Sequence, residues 1–102
     1  MFRLYADRTW LRLEQRERLT SGSVNVNQVE FTFSADWEGL TKTAVFRAGE
    51  LTRELRLDGT ARCVIPWEVL KVPGVQVCAG VYGSASGGEV VLPSVWAQLG
   101  TV

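Results

Sequence analysis

From Glu30 to Glu50 the chain reads EFTFSADWEGLTKTAVFRAGE, and no other stretch narrows the possible folds as far. Val29, Phe31 and Phe33 alternate with Glu30, Thr32 and Ser34, the period of two that marks a strand buried on one face. Ala35-Asp36-Trp37-Glu38-Gly39 interrupts the alternation with turn-forming residues. Thr43-Ala44-Val45-Phe46 then resumes as a strand apolar enough for burial on both faces. Trp37, a large aromatic in the connecting loop, is expected to close over the core. Gly39, just before Leu40, is expected to take a positive φ. Nothing in this unit carries catalytic chemistry.

The rest of the chain repeats the theme. Strands are expected at Phe2 to Ala6, Trp10 to Leu13, a short piece begun by Val24 and Val26, and Lys42 to Ala48. Ala48-Gly49-Glu50 forms a tight turn into Leu51 to Leu57, where Arg53 interrupts the apolar face and points to a sheet edge. Asp58-Gly59 predicts a hairpin pairing that strand with Ala61 to Ile65. Pro66-Trp67-Glu68-Val69-Leu70 breaks the β pattern; proline at a first helical position and Glu68 at its positive end predict one helical turn near residues 66–71. Val75 to Tyr82 follows as a strand, GSASGG as a loop, and Glu89 to Gln98 as the last strand. Pro93 removes a ladder hydrogen bond, so that strand is bent, bulged or at an edge. About seven to nine short strands with one helical turn predict an all-β, antiparallel β-sandwich of immunoglobulin-like or jelly-roll-like type, one domain over residues 1–102.

With 102 residues, a single modest core is within reach. Eleven basic and eleven acidic residues cancel, which gives no electrostatic reason to bind nucleic acid or an anionic membrane. Arg12, Arg16 and Arg18 are interleaved with Glu14 and Glu17 and read as a solvated charged strand or turn. The start of the chain lacks the basic and apolar pattern of an export signal, so synthesis in the cytoplasm is expected. Cys63 and Cys78 have no metal-ligand spacing and sit in apolar strands, where free, buried thiols are expected over a disulfide.

The chain contains no histidine. That removes Ser-His-Asp triads, Cys-His pairs and an imidazole base. Asp36 and Glu38 flank Trp37 as the nearest carboxylate pair, but two acids in one loop read as turn formers. No catalytic, cofactor-binding or metal-ligating residues are assigned, and no cofactor is expected. The four tryptophans are the remaining candidates. Trp37, Trp67 and Trp96 adjoin turns and read first as plugs in a thin core. Trp10 has the best claim to exposure, since Leu11 and Leu13 take the opposite face. The candidate interface is Trp10 with Arg12, then Trp37 and Trp96.

Four motifs carry a resemblance. They are Ser34-x-Asp36-Trp37-x-Gly39-Leu40-x-Lys42-x-Ala44-Val45-Phe46, Pro66-x-Glu68-Val69-Leu70, Gly80-Val81-Tyr82-Gly83 and Pro93-x-x-Trp96-Ala97-x-x-Gly100. Together they resemble a family of small proteins and N-terminal modules encoded in prophages of Firmicutes, related to the β-sandwich modules that open baseplate upper proteins and tail-fibre-like proteins. The match spans about Val29 to Gly100; Phe2 to Leu19 carry little of it. The resemblance implies a non-enzymatic structural module that anchors or assembles a tail or baseplate appendage. Its partners would be other virion proteins or copies of itself in a trimer or hexamer, without nucleic acid or membrane. It also implies a passage from host cytoplasm to virion, in the tail or baseplate rather than the capsid. The chain stops just after the closing motif, as a stand-alone protein or an excised domain would. The competing functions are a carbohydrate- or receptor-binding module, favoured by coplanar exposed tryptophans, and a small prophage regulatory protein binding a host protein.

Overall fold

In the computed structural model, which describes residues 1–8, 10–16, 27–71 and 74–101, alternating apolar side chains become strands that turn their apolar faces towards one another. The strands are β1 (Phe2–Ala6), β2 (Leu11–Gln15), β3 (Gln28–Phe33), β4 (Thr41–Ala48), β5 (Leu51–Arg56), β6 (Arg62–Val64), β7 (Gln76–Ser84) and β8 (Val90–Thr101). They form two four-stranded sheets, ordered β2-β1-β3-β6 and β5-β4-β7-β8. Phe2, Leu4, Val29 and Phe31 of the first sheet and Phe46, Val77, Val81 and Leu99 of the second share one core. Its ends are closed by Trp37, Ile65, Val69 and Leu70, all buried. The fold is an eight-stranded β-sandwich.

Several local expectations hold. Gly49 and Glu50 form the two-residue link between β4 and β5, with Ala48 opposite Leu51 and Gly49 at φ +61°. A positive φ at the first central residue matches the twist of the flanking strands, and glycine adopts it without a Cβ penalty. Strand β5 ends its sheet, with Arg53 exposed. Strand β8 is also an edge, and its register on β7 shifts beside Pro93: Val81 pairs with Val95 but Gly83 with Leu92. Trp67–Leu70 form the expected helical turn, of 3-10 type. The strand expected from Val24 and Val26 lies outside the described residues.

The expected antiparallel β-sandwich holds with one exception, β1 and β3, which run parallel from Phe2↔Val29 to Ala6↔Phe33. Alternation fixes which face is buried and is the same read in either direction. Next, Asp58-Gly59 does not make a hairpin. Strand β6 leaves the sheet of β5 and pairs antiparallel with β3, Val29 opposite Cys63. Asp58 Oδ1 instead accepts hydrogen bonds from Thr60 N at 2.9 Å and Thr60 Oγ1 at 2.6 Å. This Asx-type turn redirects the chain to the other sheet. A second 3-10 turn, Ala35–Trp37, adds to the one expected. Finally, β8 runs on to Thr101 rather than ending at Gln98.

Gly39 has φ +76°, and a Cβ there would meet nothing within 4 Å. The cost of a side chain is therefore backbone strain alone. Gly39→Val is expected to lose about 1–2 kcal/mol in a urea melt, the left-handed penalty for an L-residue. An unchanged midpoint would show that the loop relaxes to another conformation.

Candidate interface

The first sheet brings Trp10 and Arg12 together with a third residue. Tyr5 of β1 pairs directly with Arg12 of β2. The Tyr5 and Trp10 rings lie 5.9 Å apart and tilted by 43°. The Arg12 guanidinium carbon sits 5.5 Å from the Tyr5 ring centre and 5.4 Å from that of Trp10. A cation held over two aromatic faces gains from both ring quadrupoles. Arg12 Nη2 also reaches Glu14 Oε2 at 3.0 Å, an exposed pair that contributes little to stability. Beside this cluster, Glu30 receives Arg62 at 2.6 Å and Arg3 at 3.6 Å across three strands. The outer face of the first sheet is thus aromatic at one end and ion-paired across its middle.

The loop that presents Trp10 is held from within. Asp7 N donates to Trp10 O at 2.9 Å, and Arg8 N donates to Asp7 Oδ1 at 2.6 Å. Asp7 O in turn accepts the indole Nε1–H of Trp37 at 3.0 Å. Trp37 itself has no exposed surface. Its place in the candidate interface is therefore corrected: it is wholly buried beneath Asp7 and offers no surface to a partner. The reading of Trp37 as a core plug holds.

The other two tryptophans reverse their reading as core plugs. Trp67 is 45% exposed and Trp96 43%, about as much as Trp10 at 42%. Trp67 lies under Lys71, whose Nζ is 5.7 Å from its ring centre. Trp96 projects from the outer face of β8 in the second sheet, on a different sheet from Trp10. Proximity to a turn did not decide burial, because a turn residue can point over the core or away from it. The three exposed tryptophans occupy separate elements, and among the described residues no ring contact joins them. Trp10 and Trp96, on opposite sheets, share no platform. Sequence reasoning missed Tyr5, although the inward alternation of Phe2, Leu4 and Ala6 leaves it pointing outward.

Asp36 and Glu38 are exposed, and Asp36 Oδ2 accepts from Ser34 Oγ at 3.2 Å. Among the described residues no three histidine, cysteine or acidic side chains are grouped to hold a metal. Cys63 and Cys78 are free thiols, one in each sheet. Burial of Cys63 against the core, aided by the Asp58 charge, pushes its thiol up to about 12. No described helix is long and apolar enough to cross a membrane. Among known proteins, no family model, curated protein or solved structure matches the chain.

Proposed function

We propose that this chain is a non-enzymatic binding module that assembles through protein–protein contacts. One observation carries the reading: Tyr5, Trp10 and Arg12 cluster on the outer face of the first sheet, the guanidinium over both rings. Tryptophan, tyrosine and arginine are the side chains most enriched where binding energy concentrates, because each offers a large rigid surface and a polar tip. The hydrogen bonds under the Asp7–Trp10 loop preorganise that surface, which lowers the entropy lost on docking.

Sheet edges support the same reading. Arg53, Glu54 and Arg56 on β5, Arg12 and Glu14 on β2 and the three-residue length of β6 blunt those edges against pairing. Strand β8 instead opens with Val90 and Val91, 55% and 52% exposed, before Pro93 interrupts it. Its first residues offer a place for strand contact in an assembly. The motif resemblance supplies the setting: a phage or prophage structural module, anchoring a tail or baseplate appendage to virion proteins or to copies of itself.

Light scattering after size exclusion tests this. The purified chain is expected to form a trimer or hexamer, and Trp10→Ala to weaken association about 30-fold or more, the effect of losing a hot-spot aromatic. Thermal unfolding should move only a few degrees, since Trp10 lies outside the core. A monomer at all concentrations, or an oligomer indifferent to Trp10→Ala, would remove the patch as a self-assembly surface.

A further inference from the structure

The outer face of the second sheet carries a hollow that the interface reading does not use. Its floor lies on the inner strand β7, where small residues alternate outward. Cys78 stands in register between Arg47 of β4 and Gln98 of β8, and Gly80 between Val45 and Trp96. The walls are long side chains. Arg47, Gln76 and Trp96, with Cys78 and Gly49, enclose about 210 Å³.

Trp96 is a fixed wall. A Cβ on Gly80 would stand 2.8 Å from Trp96 Cε3 and 3.0 Å from Val95 O, so the indole rests on bare backbone. Val45, next in that row, is buried although it faces away from the main core. Arg47 supplies charge. Its Nε donates to Gly49 O at 3.2 Å, and among the described residues no carboxylate pairs with it, so its Nη donors remain available. Gln76 completes the set: Thr101 Oγ1 lies 3.5 Å from its Oε1, leaving the amide N–H groups as donors.

A flat apolar wall, an unpaired guanidinium and an amide donor match a sugar ring that bears a carboxylate. The C–H face of a pyranose packs on the indole, the carboxylate takes two guanidinium N–H groups, and a ring hydroxyl reaches the amide. An aromatic acid would bring no ring hydroxyl to the amide, and an inorganic anion would leave the indole unused. We propose that this hollow binds a uronic acid residue of an acidic polysaccharide. It lies on the opposite sheet from the Tyr5–Trp10–Arg12 patch, so the two sites can fail separately.

The test is a titration of isotope-labelled protein with methyl β-glucuronide, followed by nuclear magnetic resonance at the Trp96 indole N–H and the Gln76 and Cys78 amides. Saturable shifts confined to the hollow are expected. Methyl β-glucoside, the same ring without the carboxylate, should bind about tenfold more weakly or worse, as should Arg47→Gln with the glucuronide. Arg47 is exposed, so Arg47→Gln should unfold at the wild-type temperature. Trp96→Ala should abolish the shifts. The proposal is overturned by an absence of saturation with the glucuronide, by equal binding of the glucoside, by binding that survives Arg47→Gln, or by phenylacetate binding as tightly as the sugar.

Discussion

Trp37→Ala is expected to destabilise the chain by about 3–5 kcal/mol, the range for truncating a fully buried large aromatic. Three packing facts set that size. The indole is wholly buried, its ring centre lies 5.3 Å from that of Phe33, and Nε1 donates to Asp7 O. The ring also packs against backbone at Gly83, where a Cβ would come within 3.2 Å of it. Alanine would leave a void there and a carbonyl without its donor. A domain of this length has about 5–15 kcal/mol in total, so the variant sits near the edge of folding at room temperature. At about 4–8 °C per kcal/mol, its unfolding midpoint should fall by roughly 12 °C or more. Trp37→Phe separates the two contributions. It keeps most of the ring and loses the hydrogen bond, for about 1–2 kcal/mol. If Trp37 positions Trp10 through Asp7, Trp37→Phe should weaken assembly by more than its stability loss accounts for. A urea midpoint for Trp37→Ala close to wild type would mean that the ring is not packed as described.

The second large effect is a loss of stability in alkali. In the folded chain Cys63 keeps its proton until about pH 12, against an ordinary value of 9.0, because burial disfavours the thiolate. The sign follows from linkage. Below pH ~9 the thiol is neutral folded and unfolded, and its full contribution is present. Between about 9 and 12 the unfolded chain releases this proton while the folded chain holds it, so stability falls as pH rises. The fall is on the order of 1 kcal/mol per pH unit within that window. Other groups titrate there too, so the measurement is a difference. Urea unfolding of wild type and Cys63→Ala should be compared at pH 8 and pH 11. Wild type should lose more stability over that interval, and parallel losses would show that Cys63 ionises in the folded chain as it does when unfolded.

Much of the fold was legible along the chain because it is local. Inward alternation in β1, β3 and β7 marked the core face. Gly39 and Gly49 marked backbone positions that other residues rarely adopt. Pro93 marked an edge because it cannot donate to a ladder. The candidate interface was half legible. Trp10 and Arg12 stood out by type and spacing, whereas Tyr5 was hidden in a strand read only for its buried face. Trp96 was read first as a core plug because nothing nearby in sequence shows that Gly80 opens the far side of the sheet to it.

By itself the sequence determined that this chain folds as β, which residues face inward, and where it must turn. Tertiary structure decided which strands meet, in which direction, and which tryptophans see solvent. The parallel pairing of β1 with β3 and the transfer of β6 away from β5 are choices among partners far apart in the chain. The period of two is blind to such choices, because an inward face looks the same to any neighbour and in either direction. Tryptophan burial is equally non-local. Trp37 is covered because Phe33, Leu40 and bare backbone at Gly83 close around it, while Trp96 lies on a sheet whose inner face is already filled.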